Sequence, residues 1–241
     1  MSRLTSVSYA GKTYPVVFKQ TRKWSHTTMT KRGLVWHVTT SNNYLGGFNW
    51  LVGGFDPAKG TYGNGGSAMF IVGKEPGEIA MMGELNQMQW HAGNINKPSA
   101  KFKKIADKNP NAKSGYTNPN LYLDGVEFVG GVDNDHSGKV EAGEINLTEW
   151  QYECAVQIAA WHAEINQYPI TSDSHLIHQD VDAGKPDLSN VYDELNFRLT
   201  KKSVPDHTSC IDLQKQVLTQ QQALNQLFAI IKTLFAMLLK K

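Results

Sequence analysis

The sequence has few cysteines, little net charge and no long apolar run near its start. Its 241 residues include two cysteines and carry a formal net charge of +2 at pH 7. Cys154 and Cys210 define no disulfide framework and lack the spacing of a metal site. So small a net charge gives no reason to expect a nucleic acid partner or general binding to membrane surfaces. Residues 1–6 lack the apolar segment of a secretory signal, so we expect a protein that is made in the cytoplasm and leaves it, if at all, by another route.

The order of the apolar patterns favours one large domain with an appendage. Hydrophobic residues make up 40% and charged residues 19% of the chain, as in ordinary globular proteins. Apolar runs at 33–40 and 121–131 predict buried strands, and the helical spacing of apolar residues predicts a long helix at 147–167. The polar stretch 94–120 is rich in lysine and is predicted to be a solvated loop. Strands separated by helices, without an internal repeat, predict an α/β fold in which a mixed central β-sheet is flanked by helices.

The C-terminal segment has a different pattern. Apolar residues recur in heptads from Cys210 to Leu238, which predicts a coiled coil. Apolar residues also flank the two core positions, so three or more strands, or docking on the preceding domain, are favoured over a two-stranded coil. The alternative is an interfacial membrane helix, because residues 224–239 are rich in Leu, Ile and Phe and are followed by two lysines. We therefore predict a domain over 1–205, with its core at about 30–200, and a coiled-coil or amphipathic helix over 206–241 that forms a homo-oligomer or contacts a membrane.

Four short motifs occur in a fixed order along the predicted domain. They are His37 in the first predicted strand, Trp90 and His91 in the block from Gln89 to Asn94, Glu127 in the strand 121–131, and the segment from His178 to Asp187. Two imidazoles and one carboxylate form a three-ligand zinc set that leaves a fourth position open for water. The ordered set resembles the zinc-dependent N-acetylmuramoyl-L-alanine amidases of the type-2 family. This family includes phage amidase lysozymes and is related to the peptidoglycan-recognition proteins.

The resemblance implies that His37, His178 and Asp187 are the zinc ligands. His175, just before His178, is a competing candidate that ranks second. Members of the family commonly have Pro-Gly after the carboxylate ligand, whereas Leu188 and a serine follow here, and the spacing from His178 to Asp187 is shorter than expected. The ligand set therefore matches the family in residue type and departs from it in the residues around the carboxylate.

The resemblance also assigns catalytic and substrate-binding residues. Glu127 matches a general base, and Lys185 matches a lysine that stabilises the oxyanion. Trp90 and His91 match a pair that lines the cleft and contacts substrate without binding metal. Amide hydrolysis independently requires such groups, since a carboxylate takes a proton from the attacking water and a cation faces the developing oxyanion. The alternative is a structural role for both residues, in which Glu127 is one partner of an ion pair and Lys185 is a solvated loop lysine. We favour the catalytic role because a carboxylate in an otherwise apolar strand needs a partner.

A second metal site is predicted at residues 133–144, which match the EF-hand calcium loop at each diagnostic position. The predicted calcium ligands are Asp133, Asp135, Ser137, Lys139 through its backbone carbonyl, Glu141 and Glu144. A strand enters this loop, where an EF-hand has a helix. The alternative is a polar hairpin turn between the strand of Glu127 and the long helix. We favour calcium because the ligand pattern is complete.

Together the motifs predict a peptidoglycan hydrolase that cleaves the amide bond between N-acetylmuramic acid and L-alanine. We expect a phage endolysin, made in the cytoplasm of the infected bacterial cell and acting on the cell wall after release, because the sequence has no recognisable signal peptide or wall-binding repeat. A bacterial cell-wall recycling amidase is compatible with the same motifs. A non-catalytic peptidoglycan-binding protein is the alternative from another class, and it is disfavoured because all three ligand types are present.

Overall fold

A computed structural model describes residues 3–26, 30–39, 43–53, 55–56, 61–62, 66–85, 87–92, 98–107, 118–131, 144–182, 188 and 191–202. The chain divides into two units, Met1–Lys201 and Lys202–Lys241. Apart from Lys202, the second unit lies outside the described residues, so the predicted C-terminal helix and the predicted domain boundary stay predictions. Within the described ranges, no helix is long and apolar enough to cross a membrane.

Short strands and helices alternate along the described residues. The strands are β1 (Ser6–Tyr9), β2 (Lys12–Pro15), β3 (Val17–Phe18), β4 (Trp24–His26), β5 (Gly33–Thr39), β6 (Phe55–Asp56), β7 (Thr61–Tyr62), β8 (Phe70–Val72), β9 (Ile79–Met81), β10 (Gln87–Gln89), β11 (Leu123–Val129) and β12 (His175–Ile177). The helices are α1 (Tyr44–Leu51), α2 (Ala100–Asp107), α3 (Glu149–Asn166), α4 (His178–Val181) and α5 (Tyr192–Lys202), and a 3-10 turn at Pro119–Leu121 precedes β11.

A six-stranded sheet organises the domain, with the strand order β12-β5-β11-β8-β9-β3. The pairs β12–β5, β5–β11 and β11–β8 are parallel, whereas β8 and β9 are antiparallel. The sheet is therefore mixed, and the predicted α/β class is confirmed. The central strands β5 and β11 are buried along most of their length. Parallel strands that are covered on both faces are apolar throughout, which is why the sequence showed these two as continuous apolar runs.

One face of the sheet packs against α3. Trp36 of β5 and Trp150 of α3 belong to the same apolar cluster, which is the largest among the described residues. The helix begins after Thr148, whose hydroxyl caps the backbone N–H of Gln151 while the Gln151 side chain caps the Thr148 N–H. This reciprocal capping satisfies two otherwise unpaired donors and fixes where the helix starts. The helix predicted over 147–167 is confirmed at Glu149–Asn166.

The opposite face of the sheet carries two separate apolar clusters. One joins Val35 of β5 to Phe102 of α2, and the other joins β8 and β11 to Phe48 of α1. His37 lies two residues beyond Val35, and Glu127 is its register partner on β11. Because side chains alternate along a strand, His37 and Glu127 project from the same face as Val35. Both side chains therefore belong to the face that carries α1 and α2.

The lysine-rich stretch that was predicted to be a solvated loop contains helix α2. Phe102 and Ile105 are buried on it, and the Ser99 hydroxyl accepts a hydrogen bond from the Phe102 N–H at 3.0 Å. Lys101 forms an ion pair with Asp180 of α4 at 2.8 Å. The loop prediction is therefore wrong for residues 100–107. The contacts that hold this helix include two buried apolar side chains and the ion pair of Lys101, and none of them gives a clear pattern among the surrounding lysines.

Candidate metal centre and active site

His37 and His178 meet because their strands are parallel neighbours. β12 pairs with β5 so that Ile177 lies opposite Trp36, and a histidine follows each of these two residues. The carboxyl ends of parallel strands lie at the same edge of a sheet, which is where functional side chains of α/β proteins collect. The Nδ1 atoms of the two rings are 3.2 Å apart, and the rings meet nearly at right angles.

This pair of imidazoles fits a shared zinc ion. Two nitrogen ligands of one tetrahedral zinc, each at the usual Zn–N distance, lie about 3.3 Å apart. The observed Nδ1 separation of 3.2 Å matches that spacing. Without a metal, the same distance lets one ring donate a hydrogen bond to the other. No group of three His, Cys, Asp or Glu ligands occurs among the residues that the structure describes, and the third predicted ligand, Asp187, lies outside them.

The residues around His178 are held by contacts from three helices. The Asp180 carboxylate accepts hydrogen bonds from the Ile177 N–H at 3.2 Å and from the Lys101 ammonium at 2.8 Å. Lys101 also donates to the Tyr192 hydroxyl at 2.6 Å, and that hydroxyl donates to a backbone carbonyl of β12 at 3.1 Å. Burial alone would lower the pKa of Lys101, but Asp180 and Tyr192 raise it above its usual value. Helices α2, α4 and α5 thus fix the backbone from which His178 projects.

His91 lies directly behind His37. Its Nδ1 atom is 3.0 Å from Nε2 of His37, and its own Nε2 is 3.0 Å from the backbone oxygen of Leu123. The side-chain oxygen of Asn120 accepts hydrogen bonds from the backbone N–H groups of His91 and Ala92, each at 3.0 Å. Burial, and next the repulsion by His37 when that ring is protonated, lower the pKa of His91 well below its ordinary value. His91 is therefore a neutral imidazole whose two ring nitrogens both contact protein atoms.

Glu127 and Trp90 are two further residues of the four sequence motifs that the structure describes. Glu127 is half-buried and is the register partner of His37 on the neighbouring strand, so the two side chains are about 5 Å apart at their bases. Trp90 exposes 41% of its surface, whereas His91 exposes 9%. The Trp90 backbone is fixed by Ser67, whose hydroxyl accepts from the Trp90 N–H at 2.8 Å and whose N–H donates to the Trp90 oxygen at 2.9 Å.

Several predicted site residues lie outside the described part of the chain. They are Lys185 and Asp187 at the predicted zinc site, and Asp133, Asp135, Ser137, Lys139 and Glu141 in the predicted calcium loop. Glu144 is described and half-buried, and a β-bridge joins its neighbour Ile145 to Gly131. Leu188, which follows Asp187, is fully buried with φ +58°. This left-handed conformation is uncommon for leucine, so burial of the side chain holds a strained backbone next to the predicted ligand.

His175, the second-ranked ligand candidate, lies on the other face of the sheet. Its ring stacks on Trp36 with centroids 5.7 Å apart. Burial, with smaller contributions from His162 and Lys101, lowers the pKa of His175 to about 3. The structure therefore brings His178, and not His175, next to His37.

A buried polar network that was not predicted from the sequence lies next to the site. The Lys31 Nζ atom is 2.8 Å from Asp124 Oδ1, His162 Nε2 is 2.9 Å from Asp124 Oδ2, and all three side chains are fully buried. Burial alone would raise the pKa of Asp124, but Lys31 and then His162 hold it below its usual value. Lys31 also donates to the backbone oxygens of Asn120 at 2.7 Å and Leu123 at 3.2 Å. The available signal was Asp124 itself, an acidic residue in an apolar strand.

A mixed sheet with two histidines at the carboxyl ends of adjacent strands defines an α/β protein with a candidate metal centre. A family model described as N-acetylmuramoyl-L-alanine amidase matches residues 14–190. The chain belongs to this family of type-2 amidases, so the predicted family is confirmed. Family membership implies peptidoglycan as the substrate.

Three solved structures are similar to this chain at low sequence identity. A selenomethionine derivative of AmpD is 17% identical, with a TM-score of 0.46 over 68% of this chain and 82% of that chain. A mutant endolysin from Bacillus subtilis is 14% identical, with a TM-score of 0.48 over 77% of this chain and 99% of that chain. A mutant form of PlyL is 13% identical, with a TM-score of 0.47 over 76% of this chain and 97% of that chain. Among curated proteins, none matches this chain.

Proposed function

We propose that this chain hydrolyses the amide bond between N-acetylmuramic acid and L-alanine in bacterial peptidoglycan, with one zinc ion held by His37, His178 and Asp187. The observation that carries the proposal is the 3.2 Å separation of the His37 and His178 Nδ1 atoms, since two ligands of one tetrahedral zinc have this spacing. Membership of the amidase family supports the choice of substrate and of the bond that is cut.

The residues around the histidine pair supply the remaining chemistry. Bound zinc would polarise the amide carbonyl and lower the pKa of bound water to about 7. Glu127, on the strand beside His37, takes the proton from the attacking water and passes it to the leaving amine. We assign Lys185 to the oxyanion that develops on the carbonyl oxygen, a contact of the kind that is worth about 3 kcal/mol. The exposed ring of Trp90 offers an apolar surface to the substrate.

We propose an endolysin as the cellular role, with synthesis in the cytoplasm of a phage-infected bacterium and action on the cell wall after release. The alternative that the same motifs allow is a bacterial recycling amidase. The two roles differ in substrate, because an endolysin must cut intact wall polymer and a recycling enzyme acts on soluble wall fragments. Rates on purified wall sacculi and on soluble muramyl peptides, measured side by side, therefore separate them.

Two further proposals concern the segments beyond this site. We propose that residues 133–144 bind calcium, supported by the complete ligand pattern in the sequence. We also propose that the heptad segment after Cys210 self-associates, with membrane contact as the alternative.

Zinc content and bond cleavage, measured on the same preparations, test the main proposal. His37→Ala and Asp187→Ala should lose zinc and stop the release of L-alanine amino groups from peptidoglycan, and chelation should do the same reversibly. His207→Ala, at a histidine without an assigned role, is the matched control. If Asp187→Ala keeps zinc and full activity, the ligand assignment is wrong. If the unaltered protein binds peptidoglycan but releases no amino groups, it is a non-catalytic binding protein.

A further inference from the structure

We propose that His91 is a positioning residue that fixes His37 in the tautomer and ring orientation in which its Nδ1 lone pair points at His178. The proposal rests on the proposed zinc site, because it assigns the atom with which His37 binds metal. It gives His91 a role other than the substrate contact that the family resemblance implies.

The argument starts at the backbone oxygen of Leu123. A carbonyl oxygen can only accept a hydrogen bond, so the hydrogen between it and His91 Nε2, 3.0 Å away, belongs to the imidazole. The ring packs closely on Gly125, where a Cβ atom would lie 2.4 Å from the His91 Cβ and Cγ atoms, so it has no room to move toward β11. The His91 N–H donates a hydrogen bond to the side-chain oxygen of Asn120, and this bond holds the His91 backbone in place.

The second step concerns the other nitrogen of His91. A neutral imidazole carries a hydrogen on one nitrogen and a lone pair on the other. His91 is buried, and the Lys31 ammonium contacts the same Leu123 oxygen at 3.2 Å, so a positive charge on the ring is disfavoured. With the hydrogen on Nε2, the lone pair is on Nδ1, which is 3.0 Å from His37 Nε2. His37 must therefore donate this hydrogen bond.

The third step sets the ligand atom. When His37 is neutral, as a metal ligand must be, its single N–H is the Nε2–H that His91 accepts. Its lone pair is then on Nδ1, at 3.2 Å from Nδ1 of His178. Partners of this kind fix the tautomer and raise the basicity of a ligand imidazole, and their loss typically lowers metal affinity by about 10–100-fold.

The exposures of the neighbouring residues fit this division of roles. Successive side chains of an extended segment point in opposite directions. Trp90 is 41% exposed and directed outward, whereas His91 is 9% exposed and directed at His37 and Leu123. Trp90 is therefore the member of the pair that substrate can reach.

Zinc affinity of His91 variants tests the proposal in the full-length protein, with zinc alone as the probe and a chromophoric chelator as competitor. His91→Asn places an amide oxygen near the position of Nδ1 and keeps an acceptor for His37. His91→Gln places its amide near Nε2 and keeps only the Leu123 contact. His91→Phe keeps the packing and removes both. We expect His91→Gln and His91→Phe to lose about 10–100-fold in zinc affinity and His91→Asn to lose clearly less. Equal affinities for Phe and for the unaltered residue would overturn the proposal.

Nitrogen NMR of the His37 ring in the metal-free protein gives a second readout. It uses the unaltered protein and does not depend on the folding of a variant. For the neutral ring, the expected spectrum has a protonated Nε2 and an unprotonated Nδ1. A protonated Nδ1 as the main form would overturn the proposal even if His91→Phe weakened zinc binding. Failure of the proposed function has a different signature: the unaltered protein then binds no zinc, while the His37 spectrum still reports the tautomer.

Discussion

The Nζ atom of Lys31 lies 2.8 Å from Oδ1 of Asp124, with both side chains fully buried. Removing one partner of a buried ion pair leaves the other charge uncompensated and typically costs about 3–5 kcal/mol. We expect Asp124→Asn to lower the free energy of unfolding by about this amount, measured by urea denaturation. Glu164→Gln, at an exposed acid on α3, is the control and should stay within about 0.5 kcal/mol. An equally small change in Asp124→Asn would contradict the assignment of a structural ion pair.

The same carboxylate predicts an acid-sensitive contribution to stability. The pKa of Asp124 in the folded protein lies below its ordinary value of 3.8, because Lys31 and His162 outweigh burial. A group with a depressed folded pKa stabilises the fold above its unfolded pKa and loses that contribution as pH falls through the folded value. Stability should therefore drop below about pH 4, and Asp124→Asn should show a shallower drop in the same range. If the free energy of unfolding falls equally steeply with pH in the two proteins below about pH 4, Asp124 does not titrate in this way.

The apolar strands could be predicted from the sequence because their signal is local. β5 and β11 are buried on both faces, so each appears as one apolar run with recognisable ends. Helix α2 could not be predicted in this way, since Phe102 and Ile105 are the buried side chains among its residues 100–105, the part for which burial is described. Its ion pair from Lys101 to Asp180 joins residues far apart in the chain. Tertiary contacts of this kind leave no periodic pattern in the segment itself.

The site shows the same division between local and long-range information. The residue types and order of His37, His178 and Glu127 indicated a hydrolytic centre, and parallel pairing of their strands brings them to one edge of the sheet. Which of the neighbours Trp90 and His91 faces inward depends on the Leu123 oxygen and on the open space at a glycine of β11. Those features belong to another strand, so the order of residues in the block from Gln89 to Asn94 could not reveal them.

Glu127→Gln tests the general base. The substitution keeps the size of the side chain beside His37 and removes the proposed proton acceptor. We expect zinc to remain bound and the melting temperature to change little, while kcat falls by a factor on the order of 10²–10⁴. Steady-state kinetics on peptidoglycan and metal analysis of the same sample check both halves of the expectation. With Glu164→Gln as control, an unchanged kcat in Glu127→Gln would remove Glu127 from the mechanism.

Calcium should raise the melting temperature if residues 133–144 bind it. A ligand that binds only the folded state stabilises it by mass action. Glu144, beside the Gly131–Ile145 bridge, is the proposed bidentate ligand, so Glu144→Ala should abolish the shift. Glu164→Ala is the matched acid-to-alanine control and should retain it. If millimolar calcium gives no heat of binding and no thermal shift in the unaltered protein, the segment is a turn without a metal.

The heptad segment predicts an assembly that can be removed without loss of catalysis. Its seam includes Leu224 and Ile231. Without a partner, the seam and the apolar residues on both of its flanks would be exposed to water and would form a patch larger than soluble monomers usually carry. Self-association is favoured over membrane docking because Gln220 at a core position is a common device for setting register. Truncation after Lys202, the last residue of α5, should give a monomer that still hydrolyses peptidoglycan, since every proposed site residue precedes it.

Light scattering of the full-length protein and of two point variants decides between the outcomes. Ile231→Asp places a charge in the predicted seam and should dissociate the oligomer, whereas Gln222→Asp, at the heptad position opposite the seam, should leave it intact. Sedimentation with lipid vesicles measures the membrane alternative on the same samples. A full-length protein that is monomeric and does not bind vesicles would contradict both interpretations, and packing of the segment on its own domain would then be the explanation for its apolar residues.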